Sequence, residues 1–205
     1  MNFHKYKLNS DKNEMGFGKG SFEEEIIYQS FSKRRTIHIM GEITEKTELV
    51  TNHMIQQLCK EDKEGKKLPI KIKISSGGGD ALAAFSIVDS IEYAKNQGYH
   101  VHTEGYSCVM SAAVPILSSG TLRRTQMHSR WMLHDVGMFL MGSMSGEEIT
   151  RLSADLKDVS KVYEDMLVSK SKMTREQFRE HADKIKEFYF WGDEAIKLGF
   201  ADELL

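Results

Sequence analysis

Proline and cysteine are both scarce in this sequence, which has two of each among 205 residues. Cys59 and Cys108 give neither a disulfide framework nor the spacing of a zinc site. No apolar run approaches the roughly 20 residues of a membrane span. The first residues also lack the apolar segment of a signal peptide. We therefore expect no membrane insertion and no secretion, and the predicted location is the cytoplasm.

An excess of charge of either sign is also missing. Lys and Arg together number 28 and Asp and Glu number 30, so the formal net charge is −2. This balance argues against nucleic-acid binding through bulk positive charge. Hydrophobic residues make up 40% and charged residues 28% of the chain, which is typical of a globular protein with a full hydrophobic core.

Apolar periodicity is absent from residues 1–21, which are polar and rich in Gly, Lys and Asn. We expect this segment to be a mobile tail or a removable leader. Residues 22–205 contain no repeat and no stretch with the composition of a linker, so they are predicted to form a single domain.

Strand and helix patterns alternate from about residue 34 onward. Such alternation predicts an α/β fold, with parallel strands joined by right-handed crossovers. The predicted strands are 35–40, 68–74, 99–103 and 130–133, and the predicted helices are 45–62, 81–97 and 111–119.

The longest predicted helix covers residues 145–172. Its apolar residues are spaced alternately three and four apart, as in a coiled-coil seam: Ile149, Leu152, Leu156, Val159, Tyr163 and Met166. A helix of this length spans ~40 Å, which is long for a domain of this size. It is either a core helix of its own domain or an arm that packs on another subunit.

Two small-residue segments follow predicted strands and can carry chemistry. The first, Ile74-Ser-Ser-Gly-Gly-Gly-Asp80, lies where a strand meets a helix. Its amides can bind an anion or a developing oxyanion, although a tight turn alone would explain the glycines. The second contains Ser111, either a helix cap or a nucleophile. Ser107 is a rival hydroxyl nearby.

A histidine ends the predicted strand 130–133, at the sheet edge where Ser111 is also expected. Paired with that serine, His134 becomes a candidate general base. Asp183 and Glu187 are four residues apart and are predicted to share one helix face, from which one of them could orient an imidazole. His100 and His102 alternate on one strand, but no carboxylate or thiol is spaced to complete a metal site.

The order of these segments resembles that of the proteolytic subunit of Clp-type serine peptidases, ClpP. The family's motifs read I-N-S-P-G-G in the glycine turn, A-S-M/A-A/G at the nucleophile, S-R-x-M-I-H at the base and E-A-x-x-x-G-L-x-D near the end. The matching segments are Ile74-Ser-Ser-Gly-Gly-Gly79, Met110-Ser-Ala-Ala113, Ser129-Arg-Trp-Met-Leu-His134 and Glu194-Ala-Ile-Lys-Leu-Gly-Phe-Ala-Asp202. The likeness covers roughly residues 28–205, and several ordered matches are far more specific than one.

This resemblance implies the site residues of a serine peptidase. Ser111 would be the nucleophile, His134 the general base and Glu187 the third member of the triad, with Asp183 as the alternative. The amides that would form the oxyanion hole are those of Gly78, Gly79 and Ala112. No cofactor and no metal are implied.

The resemblance also implies a fold and an assembly. The fold is the ClpP/crotonase-like arrangement of repeated β-β-α units, with the 145–172 helix as a protruding handle that joins two rings face to face. The implied partners are unfolded polypeptides as substrates, further copies of the chain in heptameric rings that can stack, and an ATP-driven unfoldase of the AAA+ class. No nucleic-acid or membrane partner is expected.

Several positions depart from the family's pattern. Glu187 stands where the family usually has Asp, Gly77 stands where it has Pro, and Val109-Met110 replaces a small pair. These departures indicate a divergent branch of the kind found in phages. They also leave two alternatives open: a catalytically inactive ring subunit, and a crotonase-type acyl-CoA enzyme that uses paired amides without a Ser–His pair.

Overall fold

The computed structural model describes residues 27, 29–31, 33–61, 66–137, 143–185 and 187–205. The predicted tail, residues 1–21, lies outside them. Strands and helices alternate along the described chain. In order they are β1 (Thr36–Ile43), α1 (Glu45–Glu61), β2 (Ile70–Gly79), α2 (Ala81–Asn96), β3 (Val101–Met110), α3 (Ala113–Ser118), β4 (Leu122–Thr125), β5 (Arg130–His134), α4 (Gly146–Ser169), α5 (Arg175–Ile185), β6 (Glu187–Trp191), α6 (Gly192–Lys197) and β7 (Glu203–Leu204).

A mostly parallel sheet organises the molecule, which confirms the predicted α/β class. Its order is β1-β2-β3-β4-β7, and β5 pairs with β3 and with β6. Every pairing is parallel except that of β5 with β6. Alternate residues of β2 point into the core. Ile70, Ile72 and Ile74 are buried, whereas Lys71 and Lys73, which alternate with them, are half-buried. This alternation is the period-2 pattern of a strand with one apolar face.

Strand β3 forks, and the fork positions the candidate nucleophile. Residues 102–105 of β3 pair with β4, whereas residues 108–110 pair with β5. The predicted strand 99–103 was therefore too short, because the second half of β3 finds its partner in β5. Because β3 pairs with β5, its last residue, Met110, lies at the same edge of the sheet as the end of β5.

The predicted long helix is present as α4, which has 24 residues. Ser145 begins it with a capping box, accepting from the Glu148 amide while the Glu148 carboxylate accepts from the Ser145 amide. Its buried residues are confined to the C-terminal part, at Tyr163, Glu164 and Leu167. About two-thirds of the helix thus carries no buried residue, and its role as a handle between rings stays a prediction.

The C-terminal region differs from the prediction in one respect that concerns the site. Asp183 and Glu187 do not share a helix face, because α5 ends at Ile185 and Glu187 begins strand β6. The run Phe-Tyr-Phe-Trp that follows Glu187 favours a strand through its aromatic side chains, and this run pairs antiparallel with β5.

No helix in the described part of the chain is both long enough and apolar enough to span a bilayer.

Candidate active site

Ser111 follows β3 directly and has a left-handed backbone, with φ of +51°. Its amide donates to the Met132 carbonyl of β5 at 2.8 Å, and its carbonyl accepts from the Val114 amide at 2.9 Å where α3 begins. A left-handed conformation at a residue other than glycine costs of order 1–3 kcal/mol and persists only where the surroundings enforce it. The strand-to-helix turn therefore holds the Ser111 hydroxyl out from the sheet edge.

His134 lies at the end of β5, next to this turn. Its Nε2 atom is 2.7 Å from Ser111 Oγ, a distance typical of a hydrogen bond to a hydroxyl. Both residues are half-buried. With the Nδ1–H tautomer, Nε2 accepts the serine proton, which is the geometry required of a general base.

Glu187 is paired with His134 in the antiparallel ladder of β5 and β6. Residues opposite each other in such a ladder project from the same face with Cβ atoms ~5 Å apart. The Glu187 carboxylate accepts a hydrogen bond from the Tyr189 hydroxyl at 3.0 Å, which raises the pKa of that tyrosine. No hydrogen bond or ion pair between described residues joins Glu187 to His134.

Two other predicted residues have no described hydrogen bond to this pair. Asp183 is in α5, and its side chain is not among those described. Ser107, the rival hydroxyl, is exposed within β3, and among the described residues His134 makes no hydrogen bond to it.

The glycine turn closes the other side of Ser111. Gly78 has φ of +101°, and a Cβ there would lie 2.7 Å from Ser111 Cβ. Gly79 has φ of +146°, and a Cβ would overlap the Ile43 carbonyl. Both positions thus require glycine, for conformation and for close approach. The Gly78 amide donates to Ser76 Oγ at 3.1 Å, so the Gly79 amide is the better placed of the two to serve an oxyanion.

Ala112 is the second candidate oxyanion donor. It immediately precedes the short helix α3 and is buried. Among the described residues, no hydrogen bond uses its amide. Gly79, Ser111, Ala112 and His134 line one cleft of about 880 Å³. A nucleophile, a base and amide donors thus face one cleft, where they could act on a single substrate carbonyl group. These are the groups that acyl transfer requires.

Residues of the long helix also line this cleft, and sequence reasoning did not assign them to the site. Tyr163 of α4 donates from its hydroxyl to the Ser111 carbonyl at 3.1 Å. In the sequence, Tyr163 is one apolar position of a helical seam, so periodicity predicts packing for it. Nothing in a single sequence shows which carbonyl its hydroxyl meets.

Comparison with known proteins identifies the family. A family profile described as Clp protease matches residues 19–205. The chain belongs to the Clp protease family. The residues that the Clp profile matches include every candidate site residue.

Relatives within the Clp family are distant. Over 182 residues, the chain is 24% identical to the ATP-dependent Clp protease proteolytic subunit 3 of Synechococcus sp. (strain CC9605), covering 87% of this chain and 86% of the relative. It is 25% identical to the proteolytic subunit of Streptococcus gordonii (87% and 88% covered). It is 29% identical to proteolytic subunit 2 of Chlamydia pneumoniae (87% and 84% covered). The predicted family is confirmed by the profile, and the low identities agree with a divergent member.

Proposed function

We propose that the protein is a serine endopeptidase that hydrolyses unfolded polypeptides through an acyl-enzyme. The observation that carries this proposal is the 2.7 Å distance between Ser111 Oγ and His134 Nε2, beside the glycine turn. A crotonase-type acyl-CoA enzyme would use paired amides without such a Ser–His pair, so this distance counts strongly against that alternative.

The first half of the proposed reaction forms the acyl-enzyme. Ser111 Oγ attacks the scissile carbonyl carbon while His134 Nε2 takes the hydroxyl proton. The carbonyl oxygen becomes an oxyanion that accepts hydrogen bonds from the amides of Gly79 and Ala112, each donor being worth about 3–4 kcal/mol in comparable sites. His134 then gives its proton to the leaving amine as the C–N bond breaks. Water repeats these steps on the acyl group and restores the Ser111 hydroxyl.

Glu187 is the proposed third member of the triad. Its ladder position opposite His134 lets the carboxylate approach His134 Nδ1, where it would fix the tautomer and stabilise the imidazolium. One carboxylate oxygen, Oε2, accepts a hydrogen bond from the Tyr189 hydroxyl. Among the described residues, none makes a hydrogen bond to the other oxygen, Oε1, which can accept the Nδ1–H.

The proposed working form is an assembly of heptameric rings in the cytoplasm, fed by an ATP-driven AAA+ unfoldase. The relatives' names describe proteolytic subunits of ATP-dependent proteases, and this sequence contains no nucleotide-binding motif of its own. Helix α4 supports the proposed ring contacts, since Ile149 is 51% exposed. Exposed apolar residues on a long helix fit burial against a second copy.

Active-site labelling tests the hydrolase function. A fluorophosphonate probe should label the wild-type chain, and Ser111→Ala should abolish labelling. His134→Ala should slow it by at least a hundredfold, because the serine would lose its base. Ser107→Ala is the matched control and should label like wild type. Labelling that survives Ser111→Ala, or that Ser107→Ala abolishes, would contradict the assignment.

A catalytically silent ring subunit is the second candidate. It is favoured by one observation, the absence of a hydrogen bond between the described side chains of Glu187 and His134. A wild-type chain that assembles with other subunits, but neither reacts with the probe nor cleaves an unfolded protein, would establish this reading.

A further inference from the structure

Tyr163 is a buried titratable residue that the proposed mechanism does not use. Only 2% of it is exposed, and its hydroxyl donates to the carbonyl oxygen of Ser111 at 3.1 Å. Its ring packs edge-on against Phe178 of α5, with ring centroids 6.3 Å apart. The tyrosine thus connects α4 and α5 to the backbone of the candidate nucleophile.

Ser111 needs such support because its conformation is strained. The residue has φ of +51°, and the surrounding structure must supply the free energy to keep it there. Its amide is held by Met132, and its carbonyl accepts two hydrogen bonds, from the Val114 amide and from Tyr163. A carbonyl oxygen has two lone pairs, so the tyrosine completes its hydrogen bonding.

The hydroxyl of Tyr163 remains a donor throughout the range in which a histidine base operates. Burial, and secondarily the negative charge of Asp135, raise the pKa of Tyr163 above its usual value of about 10. The group is therefore neutral and carries its proton wherever His134 could act as a base.

We propose that Tyr163 is a positioning residue: its hydroxyl holds the Ser111 backbone so that Oγ stays directed at His134 Nε2 and at the substrate carbonyl. Because Tyr163 belongs to α4, this hydrogen bond makes the reactivity of Ser111 depend on where that helix lies. The inference rests on the proposed peptidase function and adds a residue outside the triad and the oxyanion hole.

The test compares two buried tyrosines that both donate to a backbone carbonyl. Tyr163→Phe removes the bond to Ser111, and Tyr99→Phe removes a bond of 2.8 Å to the Cys59 carbonyl, which is away from the cleft. We expect Tyr163→Phe to lower the second-order rate of fluorophosphonate labelling by about tenfold. The kcat for an unfolded-protein substrate should fall similarly, with KM changed less than twofold. Tyr99→Phe should label within twofold of wild type, and the two variants should have similar melting temperatures.

Phe178→Leu is the complementary variant, because it weakens the packing of the Tyr163 ring but keeps the Tyr163 hydroxyl. It should lower the melting temperature more than Tyr163→Phe while labelling within about threefold of wild type. A Tyr163→Phe rate within twofold of the Tyr99→Phe rate would overturn the inference. So would failure of Tyr163→Phe to fold where Tyr99→Phe folds, because the hydroxyl would then be a structural requirement. If the wild type itself does not label, the proposed peptidase function fails instead.

Discussion

At the scale of single residues, the candidate site depends on backbone conformations that most residues other than glycine avoid. Ser111, Gly78 and Gly79 all have positive φ; Gly78 lies against Ser111, and Gly79 lies against the Ile43 backbone. The glycines leave no room for a side chain, and the serine is held by hydrogen bonds to its amide and its carbonyl. The geometry of the site is therefore sensitive to one added carbon atom.

Gly78→Ala should inactivate the proposed enzyme. The added methyl group would lie 2.7 Å from Ser111 Cβ and 3.0 Å from the Met110 carbonyl, so the nucleophile must shift. A displacement of ~1 Å can cost around a hundredfold in rate, and we expect at least that loss in labelling. Gly77→Ala is the control, since nothing lies within 4 Å of its Cβ and its φ is not positive. Equal labelling rates for the two variants would contradict this account of the turn.

Glu187→Gln and Asp183→Asn separate the two carboxylates proposed for the triad. We expect Glu187→Gln to lower kcat by roughly a hundredfold or more, because an amide does not stabilise the imidazolium. Asp183→Asn should stay within twofold of wild type, since that residue belongs to a helix and not to the ladder position opposite His134. Peptide cleavage by both variants, measured as kcat and KM, decides the matter. The reverse ranking would transfer the role to Asp183.

At the scale of elements, one arginine joins the end of the sheet to two helix ends. Arg123 of β4 donates to Asp202 just before β7, to the Lys170 carbonyl that follows α4 and to the Gly199 carbonyl beyond α6. A guanidinium can make these contacts together because its donors are fixed in a planar fork. Arg123 therefore links the C-terminal end of α4 to strand β4 of the sheet.

Acid should weaken this connection. Burial alone would raise the pKa of Asp202, but hydrogen bonds from Arg123 outweigh it and hold the pKa below its usual value. A carboxyl with a lowered folded-state pKa stabilises the fold above its unfolded pKa of about 3.9 and loses that contribution as pH falls through the folded pKa. At pH 7 Asp202→Asn should lower the free energy of unfolding by about 1 kcal/mol, a value reduced because water still reaches the pair.

The measurement is a series of thermal unfolding curves between pH 7 and pH 2. The difference between wild type and Asp202→Asn should shrink toward the acid end. Asp158→Asn, on the exposed surface of α4, serves as the control and should leave the melting temperature unchanged at pH 7. If the difference in melting temperature between wild type and Asp202→Asn stays constant across this pH range, the charge of the Asp202 carboxylate does not contribute to stability.

Periodicity predicted most of the elements, and its failures have physical reasons. Strand β1 and the helices α1 and α2 were predicted within three residues at each end, whereas β2 runs five residues beyond its predicted end and includes the glycines up to Gly79. Strand β4 was missed because Leu-Arg-Arg-Thr has no apolar period, and β6 was missed because its first residue, Glu187, was assigned to a helix face together with Asp183. The pairing of Ser111 with His134 followed from the order of motifs, whereas the Tyr163 contact depends on how α4 packs, which a local pattern does not encode.

At the scale of the whole molecule, the first two-thirds of α4 presents apolar residues that the described part of the chain leaves partly exposed. Ile149 is 51% exposed on a helix whose first two-thirds carries no buried residue. Such a surface is costly in water and is typical of an interface. Assembly is therefore expected to depend on this helix while the fold of the single chain does not.

Ile149→Asp should disrupt the proposed stacking of rings without unfolding the subunit. The introduced charge would have to be buried unpaired in the interface, which is strongly unfavourable. Ala154→Asp is the matched control, because it adds the same charge at an exposed position ~140° around the helix. Analytical ultracentrifugation should show smaller particles for Ile149→Asp alone, with circular dichroism unchanged. Identical particle sizes for both variants would remove α4 from the interface.

The forked strand has a consequence for biosynthesis. Ser111 is brought to His134 through pairing of β3 with β5, and Glu187 is supplied by β6, with only 18 residues of the described chain after it. A polypeptide emerging from the ribosome therefore presents its nucleophile well before Glu187, 76 residues further along the chain, has been translated. On the proposed mechanism, the nascent protease lacks a complete triad until β6 has joined the sheet.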